Sequence, residues 1–169
     1  MPDTMHGRDA RLWKRSLSAD PSRGARSSNL RNVTVDDLPA MGTLFFRAFL
    51  GTIDDTGQTE SQYASKAAAI LGGRYGEWIP AASWALEEAG NILSGCLVCD
   101  YKPYGCPVIA VVATKPSHKR TGGGGMLLDA TLMSLAALGY LECCTKITVG
   151  NDASEQLFES RGFSPNGTA

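Results

Sequence analysis

Hydrophobic residues recur along this chain with two different periods, and the change of period predicts the order of its elements. Apolar side chains stand at helical spacing from Leu38 to about Leu50, and again from about Glu60 to Leu71. The period then changes to two, which predicts strands at 82–88 and 92–101 with a glycine-containing turn between them. A further strand at 108–114 is apolar on both faces, as a central strand of a sheet usually is.

Helix and strand alternate in the last third of the chain. A helix is predicted from Gly125 to Leu138, followed by a strand at 146–149 and a last helix that opens at Asn151 or Asp152. With a short strand at 30–33, the order becomes β-α-α-β-β-β-α-β-α. This order predicts a mixed α+β protein in which helices cover a central sheet.

Residues 1–28 differ from the rest because basic side chains outnumber acidic ones there. The segment 9–18 is compatible with a short helix in which only Leu12, Trp13 and Leu17 can be buried. Two interpretations stay open: a poorly ordered basic arm, or a docking segment that covers an exposed part of the domain. Residues 29–169 are predicted to form a single domain.

Composition excludes several classes of function. A net charge of −1 creates no overall field for nucleic acid or for an anionic membrane. No apolar run approaches the roughly 20 residues that span a bilayer, and no signal-peptide pattern opens the chain, so a cytoplasmic protein is expected. The 5 cysteines favour free thiols in a reducing compartment. Cys96 and Cys99 lie at an odd offset in one predicted strand, on opposite faces, so no metal site is predicted.

Four consecutive glycines, Gly122 to Gly125, stand between the strand at 108–114 and the next helix. The unpaired N–H groups and the dipole of a helix N terminus attract anions, and glycine lets a phosphate approach the backbone. The alternative is a flexible turn before a core helix. A P-loop and a Rossmann dinucleotide motif are both excluded, because Met126 and Leu127 follow the glycines where those motifs need other residues.

A second motif lies at 147–163. A strand ends near Asn151, and the helix after it carries Leu157 and Phe158 before a Gly162-Phe163 pair. At this distance from the glycine loop, the two motifs together resemble those of the GCN5-related N-acetyltransferase (GNAT) superfamily.

The resemblance covers residues 29–163. The superfamily's acyl-CoA loop, Gln/Arg-x-x-Gly-x-Gly/Ala, matches 119–124, with lysine in the place of the usual glutamine or arginine. Its later motif, Asn-x-x-Ala-x-x-Leu-Tyr-x-x-x-Gly-Phe, matches 151–163 except at Ser154 and Phe158.

The resemblance implies a mostly antiparallel central sheet with helices on both faces and with C-terminal strands that are short or missing. It also implies an N-acetyltransferase that moves the acetyl group of acetyl-CoA directly to a primary amine in a ternary complex. The co-substrate would be acetyl-CoA, no metal would be needed, and a small-molecule amine would be the acceptor.

By position, the pantetheine arm of coenzyme A would lie along the strand before the glycine loop, the loop would wrap the pyrophosphate, and Asn151 would hold the arm from the other side. The residues implied in donor binding are Val112, Ala113, Thr114, Lys119, Arg120, Thr121, Gly122, Gly123, Gly124, Gly125, Asn151 and Phe158. Asp54 and Asp55, in the loop between the first two helices, are candidates for attracting the cationic amine.

The general base and acid are not evident. The strand at 108–114 carries no ionisable residue, and Phe158 replaces the tyrosine that usually acts as the acid. Candidates for the base are Asp54, Asp55, Glu60, Glu87, Glu88 and Asp100, and candidates for the acid are Tyr101, Tyr104, Cys143, Cys144 or water. A non-catalytic acyl-CoA-binding or regulatory module therefore remains the alternative function.

One edge of the predicted sheet, which C-terminal strands cover in the family, also needs another segment to cover it. Only six residues follow Phe163, whereas the family normally adds one or two strands there. A bare edge promotes association, so either the N-terminal arm or a second subunit should cover it, and a homodimer is one hypothesis.

Overall fold

The computed structural model describes residues 9–18 and 27–165, which form four helices and an eight-stranded sheet. The strands are β1 (Ala10–Ser16), β2 (Leu30–Asn32), β3 (Glu77–Trp78), β4 (Trp84–Glu88), β5 (Asn91–Tyr101), β6 (Cys106–Thr114), β7 (Glu142–Thr148) and β8 (Ser164–Pro165). The helices are α1 (Leu38–Phe49), α2 (Glu60–Leu71), α3 (Gly123–Ala137) and α4 (Asp152–Glu159).

The strands follow the order β2-β4-β5-β6-β7-β1-β8, with β3 paired to the far end of β5. Every pairing is antiparallel except that of β6 with β7, which is parallel. The mostly antiparallel sheet with helices on both faces confirms the predicted fold class.

Two hydrophobic cores lie on opposite faces of the sheet. On one face, α1 and α2 bury residues such as Phe45 and Ile70 against Leu97 of β5. On the other face, α3 and α4 bury residues such as Leu128 and Phe158. The central strands β5 and β6 are covered on both sides, which explains why 108–114 is apolar throughout. Cys96 and Cys99 fall into different cores, as their spacing predicted.

The predicted helix at 9–18 is wrong, because Ala10–Ser16 is the strand β1. It pairs antiparallel with β7 along its whole length, from Ala10 opposite Thr148 to Ser16 opposite Glu142. The edge of β7 that was expected to need a cover is thus covered by this segment. The boundary between residues 28 and 29 and the homodimer stay predictions.

Smaller differences concern the ends of elements. Strand β7 begins at Glu142 rather than Lys146, since Cys143 and Cys144 are small apolar residues that the sheet buries. Helix α3 begins at Gly123, two residues earlier than predicted. None of the described helices is long and apolar enough to cross a membrane.

The place of β1 in the sheet is testable through Trp13, which is 7% exposed and packs into the core under α3 and α4. Its indole Nε1 is enclosed and has no hydrogen-bond acceptor among the described residues. We expect Trp13→Ala to lower the free energy of unfolding by about 3–5 kcal/mol, because the substitution removes a buried indole and leaves a cavity in the core. Trp13→Phe should cost less than about 1 kcal/mol, since it also removes an unpaired donor. Urea unfolding measures both values, and an arm detached from the sheet would make both changes negligible.

A second prediction concerns the ion pairs that join β2 to the start of α1. Arg31 donates to both oxygens of Asp37 at 2.8 Å and also pairs with Glu87. The Arg31 hydrogen bonds hold the pKa of Asp37 below its ordinary value. Asp37→Asn should therefore lower stability by about 1–3 kcal/mol at neutral pH.

The pH dependence of that loss follows from the direction of the shift. The stability that ionised Asp37 contributes is present above its unfolded pKa of about 3.9 and is lost as pH falls towards the lower folded value. The difference in unfolding free energy between wild type and Asp37→Asn should shrink below about pH 4. An unchanged difference between pH 7 and pH 3 would contradict the assignment.

Candidate functional site

The turn after β6 leads into the N terminus of α3, where Gly122 is exposed and Gly123 and Gly125 are buried. Residues 116–118 form a single turn of 3-10 helix, and Gly122 then takes a φ of 87° before the helix begins. The first intrahelical bond is donated by the N–H of Met126 to the carbonyl of Gly122, at 3.0 Å. The N–H groups of 123–125 precede it, and Gly122, the N-cap residue, has no side chain that could cap them. These amides and the helix dipole make this terminus suited to an anion.

Close packing explains why glycine stands at 124 and 125, and the sequence did not reveal this. A Cβ on Gly124 would lie 3.3 Å from Cδ2 of Leu157, and one on Gly125 would overlap the guanidinium of Arg161. Side chains there would point into the protein rather than towards a ligand. At Gly124 and Gly125 the absence of a Cβ thus also allows Leu157 of α4 and Arg161, just after α4, to pack closely on the first turn of α3, while the approach of a phosphate to the loop stays a prediction.

The basic residues of the turn have contacts of their own. The Lys119 ammonium donates to the carbonyl of Ala48 at 3.0 Å and so caps the last turn of α1. Arg120 is exposed, and its φ of 65° is in the left-handed region. The Thr121 hydroxyl donates to the carbonyl of His118 within the turn. The backbone of this turn, more than its charged side chains, is presented at the helix terminus.

A gap opens between β6 and β7 at the same end of the sheet. Their parallel ladder consists of Val108 with Cys144 and Ile109 with Thr145. Beyond Ile109, β6 continues to Thr114 and β7 to Thr148 with no further pairing between them among the described residues.

The register of β6 determines which of its main-chain groups face this gap. The N–H of Lys115 donates to the carbonyl of Leu93 at 2.8 Å, so this pair faces β5. In an antiparallel ladder the direction alternates along the strand. Ala113 therefore also bonds to β5, while the main-chain groups of Val112 and Thr114 point towards β7. The sequence implicated Val112, Ala113 and Thr114 in donor binding, and Val112 and Thr114 present their main-chain groups to the gap.

The far wall of the gap is formed by the end of β7 and the start of α4. Asn151 caps α4 by accepting a hydrogen bond from the N–H of Ser154 at 3.1 Å, so Asn151 is the N-cap and the helix begins at Asp152, within the two predicted starting positions. Its side-chain amide donates to Oδ2 of Asp54 at 2.7 Å. The hydroxyl of Thr148 donates to Oδ1 of the same carboxylate at 2.8 Å.

The two neighbouring carboxylates are used differently. The Asp55 carboxylate accepts from the N–H groups of Gly51 and Gly57, at 2.8 and 2.9 Å, and so closes its own loop. Asp54 instead reaches β7 and α4. Tyr63 of α2 lies beneath this loop, where burial, together with Asp55 and Asp54, raises the pKa of its phenol. Thr148 and Tyr63 were missed from the sequence, because neither belongs to a recognisable motif.

Phe158 is 5% exposed and packs edge to face on Phe163, with ring centroids 5.1 Å apart. It belongs to the core under α3 and α4. A phenylalanine suits this position as a packing residue, and its predicted part in donor binding stays a prediction.

Most other candidates for acid and base lie outside the gap. Glu87 pairs with Arg31 on the far side of β5 and β6, and Asp100 pairs with Lys102 at 2.8 Å. Cys143 is fully buried, and burial raises the pKa of its thiol to about 12. Among the described residues, no group of His, Cys, Asp and Glu is arranged to hold a metal ion.

Solved structures with the same fold were found by comparison. A GCN5-related N-acetyltransferase from Sphaerobacter thermophilus aligns with a TM-score of 0.70 at 17% identity, over 94% of this chain and 48% of that one. This chain thus spans about half the length of that protein. The ribosomal-protein-S18-alanine N-acetyltransferase of Escherichia coli aligns with a TM-score of 0.60 at 22% identity, over 80% and 76% of the two chains.

A third neighbour is the putative acetyltransferase yncA from Salmonella typhimurium, solved with its cofactor acetyl-CoA. It aligns with a TM-score of 0.59 at 23% identity, over 82% of this chain and 80% of that one. No curated protein matches the sequence significantly. The sequence model of the Acetyltransferase (GNAT) family, however, matches residues 49–163, which is more than half of the chain. The protein therefore belongs to the GNAT family of acetyltransferases.

Proposed function

We propose that the protein is an N-acetyltransferase that transfers the acetyl group of acetyl-CoA to a primary amine by direct transfer in a ternary complex. The observation that supports this most strongly is the gap between β6 and β7, which opens at the uncapped N terminus of α3. A strand with free main-chain groups and an anion-binding helix terminus are the two features that an acyl-CoA requires.

Each part of the donor has a complementary group. The amides of 123–125 and the turn before them suit the pyrophosphate, and the dipole of α3 adds favourable charge. The amide groups of the pantetheine arm can bond to the backbone of Val112 and Thr114, as an added strand would. One of these N–H groups would then polarise the thioester carbonyl and stabilise the oxyanion that forms on it.

The acceptor would enter from the side of the loop between α1 and α2. That loop lies against the end of β7, since the Ile53 side chain is close enough to Gly150 that an added Cβ would stand 3.4 Å from it. A primary amine placed there meets the thioester between the two strands. Proximity and orientation alone contribute a large share of the acceleration of such a bimolecular step.

A non-catalytic acyl-CoA-binding module is the second candidate. It is favoured by Phe158, which cannot donate a proton, and by the absence of an ionisable residue at 108–114, the part of β6 that leads to the glycine loop. Proton transfer contributes about a hundred- to ten-thousand-fold to catalysis, so its loss would slow an enzyme that still positions its substrates.

Thiol release from acetyl-CoA separates the two functions. With a panel of primary amines, we expect at least one acceptor to raise the release of free thiol about tenfold or more above the rate without amine. Calorimetry on the same protein should show binding of acetyl-CoA. Binding without amine-dependent release by any acceptor would reject the enzyme and favour the binding module.

A matched pair of glycine substitutions tests the donor site itself. Gly122 and Gly139 flank the two ends of α3, both with positive φ (87° and 91°) and with open space where a Cβ would stand. An alanine at either position should cost about 1–2 kcal/mol of stability, because each must leave or strain the left-handed conformation. Only Gly122→Ala should also weaken acetyl-CoA binding, by about five- to thirtyfold, since it redirects the amides of 123–125.

Isothermal calorimetry and thermal unfolding of both variants provide the two measurements. Equal losses of affinity in Gly122→Ala and Gly139→Ala would indicate a general loss of stability and would argue against donor binding at this terminus.

A further inference from the structure

The loop between α1 and α2 holds one carboxylate for its own structure and turns the other towards the gap. Both oxygens of Asp55 are bonded to backbone N–H groups of the loop. Both oxygens of Asp54 are bonded to side chains more than 90 positions away, Thr148 and Asn151. The two acids were equal candidates by sequence, and their contacts in the structure distinguish them.

Asp54 stands where the proposed reaction would take place. Thr148 is the last residue of β7, beyond the point where β7 has separated from β6. Asn151 opens α4, and Leu157 of the same helix packs on Gly124 at the N terminus of α3. The carboxylate is thus fixed at the mouth of the gap, on the wall opposite the free backbone of β6.

The Asp54 carboxylate retains capacity for a cation. Each carboxylate oxygen can accept two hydrogen bonds, and each oxygen of Asp54 accepts one from a side chain in the described part of the chain. Within residues 9–18 and 27–165, none of the ion pairs includes Asp54. The side chain is only half-buried, so an ammonium group from outside can reach it. Two neutral donors hold it in place without cancelling its charge.

Exposed apolar side chains lie on the two segments that meet at Asp54. Leu50 is 60% exposed, and Ile53 and Val149 are each 41% exposed, although all three are large hydrophobic residues. Ile53 and Val149 are the chain neighbours of Asp54 and Thr148, and Ile53 lies against Gly150. Exposed apolar side chains around one fixed carboxylate suit a ligand that combines one positive charge with an apolar body.

We propose that Asp54 binds the ammonium group of the acceptor and takes its proton, and that the acceptor is a primary monoamine with an apolar body. This inference rests on the proposed acetyltransferase function. The ammonium gives one proton to the carboxylate, and the free amine attacks the thioester carbonyl. A C–N bond forms, the C–S bond breaks, and the second proton of the nitrogen passes to the departing thiolate. Asp54 then releases its proton to solvent, so that one proton is produced for each amide formed.

Asp54→Asn is a clean test, because the amide is isosteric. Its oxygen can accept from Asn151, and its NH₂ group can donate to the Thr148 hydroxyl, so the loop should stay in place. With the best acceptor of a panel of primary amines, we expect kcat/KM for the amine to fall about a hundredfold or more at pH 7. The dissociation constant of acetyl-CoA, measured by calorimetry, should change less than about threefold. This result would also show that the variant is folded.

Two further readouts distinguish catalysis from a structural role. The defect of Asp54→Asn should shrink as pH rises from about 7 to 9, since the neutral fraction of an alkylamine grows about a hundredfold over that range. The control Asp152→Asn removes an equal charge from an exposed residue beside Asn151, and it should change kcat/KM less than about threefold. For the substrate class, 2-phenylethylamine should be acetylated at least about tenfold more efficiently than spermidine.

Four results would overturn the inference: activity of Asp54→Asn close to that of wild type, an equal loss in Asp152→Asn, a parallel loss of acetyl-CoA binding, or a preference for spermidine. Failure of the proposed function itself has a different signature. In that case wild type binds acetyl-CoA but acetylates no amine of the panel, whatever residue stands at position 54.

Discussion

The end of the parallel ladder between β6 and β7 is the feature on which the rest of the site depends. Two adjacent strands normally satisfy each other's backbone groups, and here they do so only as far as Ile109 and Thr145. The groups of β6 beyond that point need another partner, because unpaired backbone donors and acceptors are costly when buried. A ligand with its own amides is such a partner. The position of α3 at the end of β6 then adds an anion site to the same opening.

The sheet can open at this point because its outer edge is closed by a strand from the other end of the chain. β1 pairs with β7 over seven residues, and the N–H of Val149 donates to the carbonyl of Asp9 just beyond it, at 2.9 Å. This keeps β7 paired on the side away from the gap. Trp13 anchors β1 in the core that α3 and α4 share, so the segment fixes both the edge and the helices that shape the donor site.

The helices and central strands were predictable because their patterns are local. The apolar positions of α1 and α2 recur at helical spacing, and β4 and β5 form a hairpin around a glycine-containing turn. β1 was not predictable, since its sequence mixes Arg11, Lys14 and Arg15 with few apolar residues and it is held mainly by pairing with β7, about 130 positions away. Such side chains are typical of strands near a sheet edge, where tertiary pairing overrides the local signal.

The residues of the candidate site also fall into two groups, those that local motifs identify and those that only the structure identifies. The glycine loop and Asn151 could be found from motif spacing, whereas the contact of Asp54 with Thr148 and Asn151 joins segments that the sequence does not connect. Sequence also suggested Lys119 as a phosphate ligand, and the structure shows its ammonium on the end of α1. Motifs identify backbone geometry well, because glycine and capping residues constrain it. They say little about where a long or charged side chain ends.

Amide hydrogen exchange, resolved by residue with NMR, tests the central claim most directly. In the free protein the N–H of Ala113, bonded to β5, should be protected, while those of Val112 and Thr114 should exchange faster. Saturation with acetyl-CoA should slow exchange at Val112 or Thr114 and at 123–125 by about tenfold or more, with little change at Ala113. Unchanged exchange at these amides in the acetyl-CoA complex would contradict binding in the gap between β6 and β7.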